Sequence, residues 1–296
     1  DVKYAWIEAQ RGRYSVTMMC ELLDVSRSGW HAARVRPVSA RARSNAQLIE
    51  QIRSCQRKHR GRYGRRRMTH AVRKLGRALN EKRVGRLMGQ AGLQSCMRRR
   101  FRVVTTDSKH THPVAPNVLG REFQASAPNQ KWLADLTYVP TAEGWLYLAL
   151  ILDMFSRKFV GWAMRESMPQ ELPLEALYMA LGWRDPPQAL MHHSDRGSQY
   201  AGHDYRAVLA ARGITVSMSR KGDCWDNAPM ESANGTVKVE CVHGAKFKTR
   251  AEAAQAILEY LGYYNTERLH SSLGYQTPSE FERRWRAGNE QRGSIA

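Results

Sequence analysis

Residues 131–164 read KWLADLTYVPTAEGWLYLALILDMFSRKFVGWAM, and this stretch decides the fold. It contains three runs rich in apolar, β-branched and aromatic residues, which predict strands over 131–139, 144–154 and 158–164. A short turn at 155–157 separates the second run from the third. We therefore predict that these two strands form an antiparallel hairpin.

Beyond this meander the pattern changes to strands that alternate with helices. Apolar residues at helical spacing predict helices over 172–183 and 204–212, and Gly213 ends the second one. Further strands are predicted over 188–193 and 214–219. A meander followed by alternating strands and helices indicates an α/β domain with a mixed five-stranded sheet and flanking helices.

The composition is that of a globular protein with a large excess of positive charge. Of the 296 residues, 42% are hydrophobic and 25% are charged, and the net charge is +20. No apolar run approaches the roughly 20 residues that a membrane span requires. Residues 1–120 contain 27 Lys and Arg against 7 Asp and Glu, whereas the remaining residues contain 20 of each sign. The N-terminal part thus carries the whole net charge, which favours nucleic acid as its partner.

The basic part of the chain is rich in short predicted helices. Residues 14–35 read as two helices, with Ser26 and Ser28 as candidate N-caps of the second, and Asn80 is a further candidate cap. Helical spacing recurs over 48–59, 68–75 and 84–88. Short helices joined by tight polar turns predict helix-turn-helix modules, although a small helical bundle with basic surface residues fits the same pattern. The candidate DNA contacts in this region are arginines, namely Arg62, Arg65, Arg66, Arg67, Arg83, Arg86, Arg98, Arg99 and Arg100.

Three carboxylates stand at positions that suggest chemistry. Asp135 interrupts the first strand, Asp195 follows the fourth within HHSDRGSQY, and Glu231 lies near the start of a predicted helix. Asn227 is a candidate cap of that helix, which also carries Lys238 on the face of Glu231. Carboxylates on a sheet and on a facing helix are typical ligands of Mg²⁺, and two such ions catalyse phosphoryl transfer.

Each of these acids also has an ordinary structural interpretation. Asp195 could pair with Arg196 or cap the next helix, and Asp135 could face solvent from its strand. Asp153 interrupts an apolar strand just as Asp135 does. Spacing and hydrophobicity alone do not separate Asp135 from Asp153.

Five blocks of sequence resemble the DDE transposases of the IS3 insertion-sequence family, which are relatives of retroviral integrases. The three blocks that contain the acids are WLADLTYV, HHSDRGSQY and DNAPMESANGTVKVE. Asp195 and Glu231 have 35 residues between them, and Lys238 follows Glu231 by seven positions, as in the family pattern. YYNTERLHSSLGYQTPSEF resembles the C-terminal signature of the family, and YGRRRM with RVGRLMGQAGL resembles its N-terminal helical segment.

The resemblance implies a ribonuclease-H-like core in which Asp135, Asp195 and Glu231 are the catalytic acids and the metal ligands. It implies two Mg²⁺ ions, with Mn²⁺ as a substitute. It assigns Lys238 and Asn234 to DNA contacts, with Asn227 and Asn234 as weaker candidates for positioning an acid. It gives Asp153 a structural or supporting role.

The implied activity is metal-dependent cleavage of one DNA strand and transfer of the freed 3′-OH to another phosphodiester. The expected partners are the terminal inverted repeats of an insertion sequence, target DNA and further copies of the chain. In this family the second reading frame is commonly fused to an upstream product, so this chain is expected to be the downstream portion. Five cysteines without a CxxC pair indicate free thiols, and we expect a bacterial, cytoplasmic and nucleoid-associated protein.

These expectations divide the chain into five segments. They are a helix-turn-helix-like segment over 1–40, a basic helical DNA-binding domain over 41–104, a linker over 105–126, the catalytic core over 127–245 and a C-terminal helical extension over 246–296. Two other functions fit the same sequence: a catalytically inactive DNA-binding regulator of transposition, and a ribonuclease-H-like nuclease.

Overall fold

A computed structural model describes residues 2–96 and 113–293 of the chain. The chain divides into two compact units, residues 1–54 and 55–296. Helix α4 (Ala40–Lys58) runs across this boundary. Within the two described ranges, no helix is both long and apolar enough to cross a membrane.

The first unit contains three short helices, α1 (Val2–Gln10), α2 (Val16–Leu22) and α3 (Arg27–Val35), followed by most of α4. Ile7, Met19, Cys20 and Trp30 form its small core. As predicted, Ser26 caps α3, because its side chain accepts a hydrogen bond from the Gly29 N–H at 2.9 Å. Ser28 lies inside the helix instead. The helices α2 and α3 are joined by a four-residue turn, as in a helix-turn-helix unit.

The second unit begins with the end of α4 and a helical pair, α5 (Arg65–Arg73) and α6 (Glu81–Gln90). The predicted cap Asn80 is confirmed, since its side chain accepts from the Lys82 N–H at 2.8 Å. The helices pack through Met68, Val72, Val84 and Leu87, all of which are buried.

The predicted mixed five-stranded sheet with flanking helices is confirmed. Its strands are β1 (Lys131–Thr141), β2 (Gly144–Asp153), β3 (Phe159–Arg165), β4 (Met191–Ser194) and β5 (Thr215–Met218). The spatial order is β3-β2-β1-β4-β5. The first three strands form the antiparallel meander, whereas β4 pairs in parallel with both β1 and β5.

Helices cover both faces of the sheet. One face packs against α7 (Glu171–Arg184) and α9 (His203–Ala211), with the short α8 (Ser198–Ala201) beside them. The other face packs against α10 (Ala228–Val237) and α11 (Arg250–Thr266), and α12 (Pro278–Gly293) packs on α11. On the first face α7 lies so close to β3 that a Cβ at Gly161 would be 2.2 Å from the Ala176 carbonyl oxygen. Only glycine fits there.

Strand β4 differs from its predicted position. Residues 188–190 form a turn after two prolines, closed by the Leu190 N–H that donates to Pro187 O at 3.1 Å. The strand proper is made of Met191, two histidines and a serine. The prediction over 188–193 followed hydrophobicity, but the polar side chains form the strand because β-sheet and helix partners satisfy them.

The segment predicted as a linker, residues 105–126, packs on the sheet in its described part. Leu119 is buried, and its N–H donates to Ser217 Oγ at 3.0 Å. The Met218 N–H donates to Pro116 O at 3.3 Å. Residues 116–119 are therefore attached to the edge strand β5. The five-part division of the chain stays a prediction.

Candidate active site

The register of the two central parallel strands brings Asp135 and Asp195 together. Lys131 pairs with Met191, and Leu133 pairs with His193. Continuing this one-to-one register by two residues sets Asp135 beside Asp195, just beyond the end of β4. Since side chains two residues apart in a strand point to the same face, Asp135 and Asp195 belong to the face of the sheet on which Leu133 and His193 lie.

Helix α10 lies against β1 at this point and carries the third acid. The Asn234 amide donates to Asp135 Oδ2 at 2.7 Å, and the Asn227 amide donates to the Ala134 carbonyl at 3.2 Å. These two bonds fasten α10 to the strand on either side of the acid. Glu231, which follows Asn227 by one helical turn, is thereby held at the same end of the sheet.

Asn234 has the positioning role that was its weaker prediction, whereas Asn227 does not form the predicted cap. Asn227 precedes α10, but its side chain makes no capping bond and binds β1 instead. Asn234 was predicted to contact DNA, yet it is only 6% exposed and its amide is bonded to Asp135. Its observed role is to orient that carboxylate.

The three acids influence one another electrostatically. Burial raises the pKa of Asp135 to about 8, and the negative charges of Asp195 and Glu231 act in the same direction. The Leu136 N–H and the Asn234 amide oppose this shift by donating to the carboxylate. Burial also raises the pKa of Glu231. A cluster of like charges of this kind is stabilised by a bound cation.

The donor set fits a hard divalent cation, although it is not assembled as a finished metal site. Within residues 2–96 and 113–293, no three His, Cys, Asp or Glu side chains are close enough together to hold an ion. The available atoms are carboxylate oxygens, which Mg²⁺ prefers. The amide oxygen of Asn234 is buried beside Asp135 and has no hydrogen-bond partner in the described chain, so it is one further oxygen ligand or water acceptor.

Asp195 begins the tight turn that leads into α8. Its Oδ1 accepts from the Gly197 N–H at 2.9 Å. The neighbouring Arg196 donates from Nε to Ser219 O at 2.5 Å. His193 is buried, with ring nitrogens 2.9 Å from Ser217 Oγ and 3.2 Å from Ser219 Oγ. Its partners on β5 explain why a histidine is tolerated inside the strand.

Asp153 is clearly different from Asp135. It is fully buried, and its carboxylate accepts from the Asn129 N–H at 2.7 Å and from the N–H and hydroxyl of Ser156 at 2.8 and 2.7 Å. It therefore closes the turn between β2 and β3. This is the structural role that the resemblance implied.

Lys238 lies at the end of α10, where the helix widens into a π-helical turn over Lys238–Val242. Its ammonium lies over the ring of Tyr138 on β1, 4.8 Å from the ring centre. Burial lowers the pKa of Lys238, and the charge of Asp135 opposes that change. A cation is thus held near Asp135, which lies on the same strand as Tyr138.

A buried aspartate that the sequence reasoning missed anchors the loop before α10. Asp226 is fully buried and accepts from the Arg121 Nε at 2.8 Å, from Asn117 Nδ2 at 2.8 Å and from the Arg220 backbone and guanidinium at 2.8–3.0 Å. Hydrogen bonds from Arg220 hold the pKa of Asp226 well below its usual range. Asp226 lies within the block DNAPMES, but no sequence pattern pairs it with Arg121, 105 residues away.

A second hydrogen-bond network that the sequence did not predict lies at the other end of α10. The Glu240 carboxylate accepts from the Arg268 guanidinium at 2.7 and 2.8 Å, from Arg67 at 3.2 Å and from the Tyr260 hydroxyl at 3.0 Å. Arg62 is buried, donates to the Glu240 carbonyl at 3.0 Å and stacks on Tyr263. The π-helical turn is therefore tied both to α5 and to the residues that follow α11.

The predicted DNA-contacting arginines consequently fall into different classes. Arg62 and Arg67 point inward to Glu240, whereas Arg65 and Arg66 are exposed and lie 2.8 and 3.6 Å from Glu81. Arg86 is exposed and Arg83 is half-buried. Arg98, Arg99 and Arg100 lie outside the described residues.

An open groove of about 590 Å³ runs along the outer face of α10. Small residues of the helix line it together with Arg62, Arg67 and Arg268. Glu231 and Trp225 also line it, and Trp225 is 69% exposed. The groove therefore leads from the basic helical pair to the third acid.

Comparisons with known proteins agree with this architecture. Two Integrase core domain families match residues 125–224 and 212–278, and an HTH-like domain family matches residues 43–101. The chain is 44% identical to an uncharacterized 31 kDa protein of insertion element IS600 from Shigella sonnei, over 90% of this chain and 98% of that protein. It is 38% identical to transposase InsF of insertion sequence IS3A from Escherichia coli K12, over 95% and 98% of the two chains.

A transposase of insertion sequence IS904 from Lactococcus lactis is 44% identical, over 80% of this chain and 93% of that protein. Among solved structures, the HTLV-2 integrase catalytic core domain in complex with magnesium is 15% identical. That likeness covers 54% of this chain and 99% of the other, with a TM-score of 0.42.

Proposed function

The chain belongs to the IS3 family of insertion-sequence transposases, and from this premise we propose that it cuts and joins DNA at Asp135, Asp195 and Glu231. It binds the ends of its element and hydrolyses one strand there. The freed 3′-OH then attacks a target phosphodiester, so that a new phosphorus–oxygen bond joins the strands while the 3′-oxygen of the target strand leaves. The observation that supports this most directly is the register of β1 and β4, which sets Asp135 beside Asp195 opposite the helix of Glu231.

The three acids hold two Mg²⁺ ions in this proposal, and Mn²⁺ substitutes for them. When bound, such ions activate the attacking oxygen and stabilise the leaving oxygen of a phosphodiester. Asn234 keeps Asp135 oriented through its amide, and α10 keeps Glu231 in place through Asn227. The Lys238 ammonium binds a DNA phosphate next to the acids, since it lies beside Asp135 and over Tyr138.

DNA binding is assigned to the basic helical regions. The α5–α6 pair lies within the HTH-like match and presents Arg65, Arg66 and Arg86 to solvent. In the first unit, α2 and α3 are joined by a turn of helix-turn-helix length, so α3 is a second candidate for the major groove. Holding two element ends together requires at least two copies of the chain, which act in the bacterial cytoplasm on the nucleoid.

The test is a strand-transfer assay on labelled element ends with Mg²⁺ or Mn²⁺. We expect Asp135→Asn, Asp195→Asn and Glu231→Gln each to reduce cleavage and joining by about 10³-fold or more, because metal ions contribute several kcal/mol to such reactions. Binding of the same DNA should persist in all three. Asp204→Asn is the matched control, since its carboxylate is 76% exposed on α9 and should leave joining unchanged.

Two outcomes contradict this assignment. Joining by one of the three variants at the wild-type rate removes that residue from the catalytic set. Metal-independent DNA binding without cleavage by the wild type, on authentic ends, makes the chain a regulator of transposition instead.

A further inference from the structure

Trp225 is the most solvent-exposed of the eight tryptophans in the chain. It is 69% exposed, although the residues that directly follow it are buried. A single exposed apolar side chain is common on protein surfaces, so the exposure alone does not indicate a function. Two further features distinguish Trp225, namely the hydrogen bonds that hold its backbone and the groove that it lines.

The backbone around Trp225 is anchored so that the indole stays outside the fold. Trp225 lies in a 3₁₀ turn over Cys224–Asn227, and its N–H donates to Asp223 Oδ1 at 3.2 Å. The next two residues point inward. Asp226 is fully buried and accepts from two arginines, and the Asn227 amide donates to a backbone carbonyl of β1 at 3.2 Å. Because burying the indole would require breaking these bonds, the turn keeps it in solvent.

The indole lines the same groove as Glu231, the third of the proposed catalytic acids. Trp225 precedes α10, and the groove follows this helix. The side chains of Ser232 and Thr236 also line it. Its charged residues are three arginines and two glutamates, namely Arg62, Arg67, Arg268, Glu231 and Glu240. The groove thus combines an excess of positive charge and an aromatic face with one of the acids.

These features match a DNA strand with an unpaired base. In grooves that bind single strands, positive charge follows the backbone and aromatic side chains stack on the bases. Inside a duplex, both faces of a base are covered by its neighbours, so an indole reaches a base face only where the stack ends or opens. The end of an element is the place where the proposed reaction cuts a strand. An opened base pair there would offer a base to Trp225.

We propose that Trp225 stacks on an unpaired base at the end of the element and so positions the neighbouring phosphodiester at the acids. This inference rests on the proposed function and adds to it the state of the substrate, a duplex end with at least one opened pair. Trp225 is a substrate-positioning residue and exchanges no proton or bond. Since stacking tolerates every base, it holds the strand in place without reading its sequence.

The first measurement is photo-cross-linking of the full chain to duplexes that represent the element end. Two duplexes carry iodouracil at the terminal position, one in a base pair and the other in a mismatch. Iodouracil cross-links to aromatic side chains that stack on it. The protein is Glu231→Gln, which should bind DNA without cleaving it. We expect the cross-link at Trp225, identified by peptide mass spectrometry, with a higher yield for the mismatched end.

The second measurement is the affinity of Trp225 variants for the mismatched end, without divalent metal and at fixed salt. Trp225→Ala should bind it about 10-fold more weakly than the wild type, because a stacked base is lost. Trp225→Leu should lose as much, since leucine is apolar but has no aromatic face, whereas Trp225→Phe should retain most of the affinity. Urea unfolding should be the same for Trp225→Ala and wild type, because the side chain is exposed.

Trp183→Ala is the matched control. Trp183 is 66% exposed, but it lies on α7, which covers the opposite face of the sheet from α10. Its loss should leave the affinity for the mismatched end unchanged. Equal affinity of Trp225→Ala and wild type overturns the role of Trp225. So does Trp225→Leu binding as tightly as Trp225→Phe, or a cross-link at another residue in place of Trp225.

Failure of the proposed function has a different signature. In that case the wild type neither cleaves nor joins the paired or the mismatched end with Mg²⁺ or Mn²⁺. This result rejects the positioning role of Trp225 together with the reaction, whatever the cross-link shows. When the wild type cleaves and joins these ends, the Trp225 variants alone decide the inference.

Discussion

Two aspartates of the second unit, Asp226 and Asp135, lie in opposite electrostatic surroundings. Asp226 is bonded to the guanidinium groups of Arg121 and Arg220, which keep its pKa below the usual range. Asp135 is bonded to a backbone N–H and to the Asn234 amide, and its other close neighbours include carboxylates. Its pKa is raised to about 8.

The comparison shows how an acid with a structural role differs from one that is available to bind a cation. An arginine partner fixes the charge of Asp226 and ties the loop before α10 to the segment around Arg121. Glu240 is likewise paired with arginines, Arg268 and Arg67, at the other end of α10. Between these two anchored ends, Asp135 and its neighbours carry charge that a cation from outside the chain can compensate.

The largest effect on stability is expected for Asp226→Asn. The variant removes the buried charge that accepts from both guanidinium groups and leaves Arg121 and Arg220 paired with Asp223 alone, which should lower the free energy of unfolding by about 3 kcal/mol. That is the low end of the usual range, because the two arginine side chains are 43% and 54% exposed. Urea unfolding measures the change.

Asp223→Asn is the matched control for this variant. Asp223 contacts the same two arginines, but its side chain is 25% exposed, and its loss should cost about 1 kcal/mol or less. Equal destabilisation by both variants would contradict the assignment of Asp226 as the anchor of the loop.

The next effect is a dependence of stability on pH that arises at Asp135. A carboxyl whose pKa is raised in the folded state binds more protons there than in the unfolded chain, so stability falls as pH rises. For Asp135 this decline should extend from about pH 4 to about pH 8 in metal-free protein. Asp135→Asn should make the free energy of unfolding less dependent on pH over this range. In the wild type, added Mg²⁺ should restore the stability that is lost near pH 8.

Asp226 should act in the opposite direction and in another pH window. Because its pKa is lowered in the folded state, its contribution is present above about pH 4 and is lost as pH falls further. Unfolding temperatures of Asp135→Asn and Asp226→Asn between pH 3 and 8 separate the two windows. A profile of Asp135→Asn parallel to that of the wild type would remove Asp135 from the charged cluster.

The sequence predicted the strands and the mixed sheet because their hydrophobic runs are local signals. It did not separate Asp135 from Asp153, since both interrupt apolar strands. The difference depends on contacts between distant residues: β1 pairs with β4 up to Leu133, two residues before Asp135, whereas Ser156 and Asn129 surround Asp153. Family resemblance chose Asp135 where physical reasoning about spacing left both possibilities open.

The arginines show even more clearly that the sequence alone does not predict which contacts a side chain makes. In sequence, the run Arg65, Arg66 and Arg67 at the start of α5 looks like one uniform basic patch. In the fold the three arginines have different surroundings. Arg67 faces Glu240, whereas Arg65 and Arg66 face solvent and Glu81. Charge counts predict a nucleic-acid partner but not which arginines reach it.

The smallest effects are expected from single substitutions of Arg66 and Arg67. Arg66 is 72% exposed, so Arg66→Ala should change the free energy of unfolding by less than about 0.5 kcal/mol. It should weaken binding to duplex DNA and reduce the slope of log K against log salt by about 0.9, as for the loss of one phosphate contact. Arg67 is 26% exposed and paired with Glu240, so Arg67→Ala should lower stability by about 1 kcal/mol and leave the salt slope unchanged.

Binding titrations of both variants between 50 and about 200 mM salt, the range over which phosphate contacts dominate affinity, decide between the two roles. The titrations should be made at a temperature at which both variants are fully folded. A reduced salt slope for Arg67→Ala would mean that the pair with Glu240 opens on DNA. In that case Arg67 would link DNA binding by α5 to the position of α10, and through Glu240 to Lys238 and Glu231, because the π-helical turn continues the same helix.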